Sequence, residues 1–287
     1  MKKTAAQEST YALGHSEQEL DRLSRQAEIF APFTRQLFQQ AGINRGMRVL
    51  DVGCGSGDAT LLASELVGPS GKVIGADQAI SAVQRATERA RARQIANVQF
   101  FKGDPTGMQF DRPFDAVIGR FVLMYYLDPI DAIRRLAGHV RDGGLLVFQE
   151  FDLANCRSLP PAPTFERHIA WIKQTLIATG ARTQLGPELY SVFVDAGLPG
   201  PSMRMDAVIG GRPDCPAFEL TAEVTRSLLP AMEKLKIATA REVDISNLVS
   251  RIRNEVVGAK GVVLSPGVIG AWSRNPIEVA GMPCARD

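Results

Sequence analysis

The run VLDVGCGSGD at positions 49–58 constrains this chain more than any other stretch. An apolar segment carries Asp51 to its end, glycines stand at 53, 55 and 57, and a helical pattern begins at 59. Alternate glycines let the backbone turn tightly and let a ligand approach with no Cβ in the way. The pattern reads as strand, tight turn, helix. A dinucleotide fingerprint would place a third glycine at 58, where Asp58 stands. Pyrophosphate sits on the helix N-terminus, and carboxylates at 51 and 58 would repel it. A ligand bearing positive charge tolerates them.

The same unit recurs downstream. Strands are expected at 72–76, 98–102, 114–119 and 145–150, with helices at 80–93 and 129–140, an alternation that argues for a parallel, doubly wound α/β sheet. Upstream, apolar residues at helical spacing predict a helix within 17–40, which Pro32 should end or kink. After Phe151 the rhythm breaks at LPPAP, 159–163. Helices are then expected at 164–179, 187–196 (stopped by Gly197), 216–236 and 242–256, with strands at 203–209 and 262–272. Pro266 and Gly267 make the last of these a bulged or edge strand.

Thirty-three basic and 31 acidic residues leave a net charge of +2, far from the positive field that long nucleic acid requires. Arg85, Arg89, Arg91 and Arg93 share one expected helix with Glu88 and read as a solvated face. Cys54, Cys156, Cys215 and Cys284 form no CxxC pair, so neither a metal site nor a disulfide framework is suggested and a reducing, cytoplasmic setting fits. The opening MKKTAAQEST lacks the apolar run of a signal peptide, and no window reaches the length of a membrane span.

Taken with KVIGAD ending at Asp77, VQFFKGD ending at Asp104, and RDGGLLVFQEFD at 141–152, the glycine run resembles the class I S-adenosylmethionine-dependent methyltransferases of the bacterial small-molecule type, over positions 40–150. The resemblance implies a Rossmann-like, doubly wound, mostly parallel seven-stranded sheet with helices on both faces and an inserted helical lid. It implies a helical lid segment at 1–40, a cofactor-binding core at 41–156 and a substrate cap at 157–287, within one continuous domain. The implied cofactor is S-adenosylmethionine, released as S-adenosylhomocysteine, with no metal.

By the same resemblance, Asp51 would meet the methionine amino group. Gly53, Gly55 and Gly57 would lie under the methionyl and ribose portions, with Cys54 contributing its backbone. Asp77, beside Gln78, would take both ribose hydroxyls in a bidentate, charge-assisted contact. Gly103, Asp104 and Pro105 would meet the adenine, and Arg120, Phe121 and Tyr125 would line the methionyl group and the transfer site. Tyr11 and His15 belong to a segment that would fold over the cofactor. GRFV at 119–122 departs from the Asp/Asn-Pro-Pro-aromatic motif of DNA amino-methylating enzymes, and no Pro-Cys nucleophile stands there.

A general base is optional in methyl transfer; His168, on an inserted helix beside Trp171, is the first candidate, followed by Glu150 and Asp152. Phe165, Ile169, Phe218, Leu228 and Met232 are the expected apolar roof of the acceptor pocket. The partner implied is a small molecule, and the same apolar stripes could serve a homodimer. Two other readings stay open: a protein or RNA methyltransferase, and a non-methylating protein that keeps the fold and the cofactor.

Overall fold

The computed structural model describes residues 17–277. Tyr11, His15 and Cys284 lie outside the described residues. The chain runs α1 (Glu17–Ala41), β1 (Arg48–Val52), α2 (Asp58–Val67), β2 (Lys72–Asp77), α3 (Ile80–Ala92), β3 (Val98–Lys102), β4 (Phe114–Arg120), α4 (Pro129–Ala137) and β5 (Val140–Asp152). It continues through β6 (Arg157–Leu159), α5 (Pro163–Ala178), α6 (Leu185–Asp195), β7 (Ser202–Asp206), β8 (Ile209–Gly210), α7 (Pro216–Lys234), α8 (Ala240–Val243), α9 (Leu248–Gly258), β9 (Val262–Leu264) and β10 (Gly267–Arg274).

Seven strands form one sheet in the order β3-β2-β1-β4-β5-β10-β7. β1 to β5 pair in parallel, while β10 runs antiparallel to both of its neighbours. Successive residues of the central strands serve opposite faces, as strand geometry demands. Val49, Ala116, Ile118, Leu145 and Val147 pack under Leu37 and Phe38 of α1 and Leu62 of α2. Leu50, Val117, Leu146 and Phe148 pack against Ile133 of α4 and Phe193 of α6. This is the Rossmann-like α/β architecture, with helices on both faces.

Two expectations are corrected and one is narrowed. Of the two outcomes expected at Pro32, the helix does not end there: Pro32 lies inside α1. Both flanks of the proline are buried, Phe30 against Leu220 and Val268 and Leu37 in the core under the sheet, and this burial offsets the hydrogen bond that proline removes. The strand expected at 262–272 is two strands in two sheets: β10 joins the main sheet, while β9 sits between β6 and β8 in a small three-stranded sheet. Ser265–Pro266 makes the break, because proline cannot donate to a ladder. The helix expected at 242–256 divides into α8 and α9, interrupted at Asp244 with φ +47°. No described helix is long and apolar enough to cross a membrane. Cys54, Cys156 and Cys215 are free and buried.

Candidate active site

Strand order reverses at β1, which lies between β2 and β4, and a crevice must open where the connections leave in opposite directions. A cavity of about 1080 Å³ occupies that place. Asp51, Gly53, Cys54, Gly55, Asp77, Gln78, Gly103, Asp104, Pro105, Arg120, Phe121 and Tyr125 all line it. Gly57 does not: an added Cβ would stand 3.1 Å from both Ala86 and Phe100, so its place is in packing α2 against α3 and β3.

Asp51 is 1% exposed. Its Oδ2 accepts a hydrogen bond from the Thr60 hydroxyl at 2.5 Å, and its Oδ1 is buried with no partner among the described residues. Burial pushes this carboxyl up to about 7, against the pull of the Thr60 hydroxyl and the Arg120 guanidinium. Asp77 is held differently. Its Oδ2 accepts from the Gly55 N–H and its Oδ1 from the Ala79 N–H, each at 2.9 Å. The two amides fix the carboxylate and leave each oxygen a further lone pair. Asp104 Oδ1 accepts from the Thr106 N–H at 3.0 Å and from the Tyr126 hydroxyl at 2.9 Å.

Asp58, at the start of α2, pairs with Arg89 at 2.6 Å, and Arg89 also donates to the Ser56 carbonyl at 2.7 Å. Arg89 therefore ties α3 to the glycine loop and is not part of the solvated face expected for it. Arg91 and Arg93 are exposed, as that reading requires. Arg120 is desolvated, which lowers its pKa, and its guanidinium lies 5.8 Å from the centre of the Phe121 ring.

The other half of the cavity is apolar. Phe121 and Phe151 stack with ring centres 3.8 Å apart, and Phe30 of α1 meets both edge-on. Phe165, Ile169, Ile172 and Leu176 of α5 continue the wall, facing Ala217, Leu220, Thr221 and Val224 of α7. Both sets follow helical spacing. Of the expected roof, Phe165 and Ile169 are in place, while Phe218, Leu228 and Met232 turn into the core instead.

None of the three candidate bases lines the cavity. His168 is fully buried on the flank of α5 turned to α8 and α9, with Nδ1 2.7 Å from the Thr164 carbonyl and Nε2 3.3 Å from the Val243 carbonyl. Burial lowers its pKa, and Trp171 packs edge-on against it at 4.9 Å. Both ring nitrogens face main-chain carbonyls, one of which takes the single N–H of the neutral ring, and neither faces the cavity, which corrects the expectation of a catalytic role. Asp152 accepts from the Ala154 N–H and the Asn155 side chain, both at 2.8 Å. Glu150 is buried in β5 and accepts two main-chain amides.

Arg22 and Gln26 of α1, Thr60 and Tyr126 were not singled out in the sequence, although Arg22, Gln26 and Tyr126 line the cavity and Thr60 holds Asp51. Thr60 had a local signal, its place in the first turn of α2 directly behind the glycine loop. Arg22 and Gln26 had none, because only the path of α1 across the molecule brings them here.

The methyltransferase domain family model matches residues 43–192. Aklanonic acid methyltransferase DauC of Streptomyces sp. (strain C5) is 33% identical over 155 residues, 53% of this chain and 70% of that enzyme. The ubiquinone/menaquinone biosynthesis C-methyltransferase UbiE of Azotobacter vinelandii is 37% identical over 119 residues, 41% of this chain and 47% of that protein. The chain thus spans under half the length of UbiE. Among solved structures, the YcgJ protein of Bacillus subtilis superposes with a TM-score of 0.55 over 84% of this chain and 98% of that one, at 16% identity, a likeness of fold alone.

Proposed function

Because the chain belongs to the class I S-adenosylmethionine-dependent methyltransferases, we propose that it methylates a small, largely apolar molecule held in the far half of the cavity. The observation that carries this reading is the division of one cavity into a polar half at the strand ends and an aromatic and aliphatic half between α5 and α7. The relatives, an aklanonic acid methyltransferase and a C-methyltransferase of quinone biosynthesis, support a small-molecule acceptor. A protein or RNA substrate would call for an open basic cleft, and the apolar half offers no such surface. Free, buried cysteines suit the reducing, cytoplasmic setting of this proposal, in which the enzyme works as a monomer or a homodimer.

The polar half suits S-adenosylmethionine. Asp51 Oδ1, buried and unpartnered, would take the methionyl ammonium. At Gly55 an added Cβ would meet nothing within 4 Å, so open space lies over the loop where the ligand would rest. Asp77 would use its remaining lone pairs for the ribose hydroxyls, Asp104 would stand at the adenine end, and Arg22 and Arg120 would face the methionyl carboxylate. When bound, the cofactor supplies an electrophilic methyl group whose leaving atom departs as a neutral thioether. The protein's part is to align donor and acceptor and to exclude water. The stacked Phe121 and Phe151 and the edge of Phe30 form the wall near which the two halves meet.

A pH dependence follows from Asp51. With its carboxyl at about 7 in the free protein, an ammonium ligand binds to the ionised form and must displace the proton below that pH. Affinity for S-adenosylmethionine is therefore expected to tighten several-fold between pH 6 and pH 7.5 in calorimetric titration, below the range in which the ligand's own amino group deprotonates, and Asp51→Asn should flatten the profile. A flat wild-type profile together with unchanged affinity in Asp51→Asn would remove Asp51 from the ammonium site.

The acceptor class is tested by following S-adenosylhomocysteine formation across a panel of polycyclic phenols, quinols and keto acids, against polar amines, peptides and RNA. Turnover with apolar ring compounds is expected. Turnover confined to peptides or RNA would overturn the proposal, and cofactor binding with no turnover on any acceptor would favour a non-methylating role.

A further inference from the structure

The segment after β4 forms one wall of the cavity, yet it lacks a cap of its own. It enters a 3₁₀ turn, Leu123–Tyr125, whose N-cap residue Val122 has no side chain able to accept a hydrogen bond. The first amides of such a turn have no internal partner. Phe121, just before it, holds φ +57°, a conformation that a bulky residue keeps only when its surroundings impose it.

Three consecutive residues of β5 impose it. The Gln149 carbonyl accepts the Phe121 N–H at 2.8 Å. Glu150 Oε1 accepts the Val122 N–H at 3.0 Å and the Leu123 N–H at 2.7 Å. The Phe151 ring stacks on Phe121. Val122 is in turn pressed against the glycine loop: a Cβ on Gly53 would lie 2.3 Å from its Cγ2. Glu150 itself is completely buried, lines no part of the cavity, and has no partner for Oε2 among the described residues.

We propose that Glu150 is a positioning residue for methyl transfer, capping the turn after β4 from the neighbouring strand and so holding Phe121 and Val122 between the cofactor loop and the acceptor chamber. The proposal rests on the acceptor-chamber reading above for its functional consequence, though not for the capping. Glu150 acts through an acceptor oxygen and not through charge. Burial pushes its carboxyl up to about 8, so near pH 7 it is mostly neutral and a glutamine can imitate it.

The test compares Glu150→Gln, Glu150→Leu and the shorter Glu150→Asp with the wild type. Amide hydrogen exchange at Val122 and Leu123 reads the cap. Calorimetric titration of S-adenosylhomocysteine, and then of 2-naphthol into the protein saturated with it, reads the two halves of the cavity. Glu150→Gln should match the wild type throughout. Glu150→Leu should exchange the two amides at least about a hundredfold faster and bind 2-naphthol at least about tenfold more weakly, with a much smaller change in S-adenosylhomocysteine affinity. If Glu150→Leu fails to fold, Glu150→Asp, which keeps the acid but loses the reach, should show the same split.

Unchanged exchange and binding in the Leu or Asp variant would overturn the proposal, as would a Gln variant as damaged as Leu. Failure of 2-naphthol to bind the wild type would count against the acceptor chamber, and hydrogen exchange would then decide the cap by itself.

Discussion

Asp77→Ala is expected to weaken S-adenosylmethionine binding by about 10²–10⁴-fold, because two hydrogen bonds to a charged acceptor contribute about 1.5–3 kcal/mol each. The effect has a second source in the structure. Asp77 also accepts the Gly55 and Ala79 amides, so its removal frees the loop that would lie beneath the cofactor. Asp77→Asn, which keeps one carbonyl oxygen, should fall between the two. Calorimetric titration measures the affinities, and the thermal shift produced by the ligand should shrink in the same order. An alanine variant that binds as tightly as the wild type would remove Asp77 from the site and with it the assignment of the polar half.

Gly53→Ala and Gly55→Ala should fail for different reasons, although both residues have positive φ, +63° and +52°. At Gly53 the new methyl would stand 2.3 Å from Val122 Cγ2 and 3.0 Å from its Cβ. Left-handed strain and overpacking together should cost about 3 kcal/mol or more and lower the melting temperature by several degrees. Adding Val122→Ala should relieve the clash with Cγ2 but neither the 3.0 Å approach to Cβ nor the strain, and a double-mutant cycle would register the relief as coupling. At Gly55 nothing stands within 4 Å, so Gly55→Ala should cost only the strain, about 1–2 kcal/mol, while losing S-adenosylmethionine because the methyl takes the ligand's space. A Gly55→Ala protein with unchanged affinity would place the cofactor elsewhere.

The polar half of the cavity was legible because its groups are local to strand ends. Asp51, Asp77 and Asp104 each stand at or just beyond the end of a parallel strand, and strand order alone then carries them to one crevice. Gly57 shows the limit of the motif: its spacing matches the other two glycines, but its missing Cβ makes room for Ala86 and Phe100 and not for a ligand. His168 shows the limit of residue type. A histidine near an aromatic residue on an inserted helix suggested chemistry, yet the face that α5 gives to the cavity is Phe165, Ile169 and Ile172, and His168 stands on the flank beside it.

The sequence by itself determined the parallel α/β core, the glycine loop and the acids around it, because hydrophobic period and turn chemistry act over a few residues. Only the tertiary structure decided the apolar half of the cavity. Phe30 arrives there from α1, Phe121 from the turn after β4, Phe151 from β5, Phe165 from α5 and Leu220 from α7. So too for Glu150, whose carboxyl caps amides 27 and 28 residues away. Such meetings depend on how helices cross the sheet and where a buried polar group finds its partner, and no local pattern of residues encodes either one.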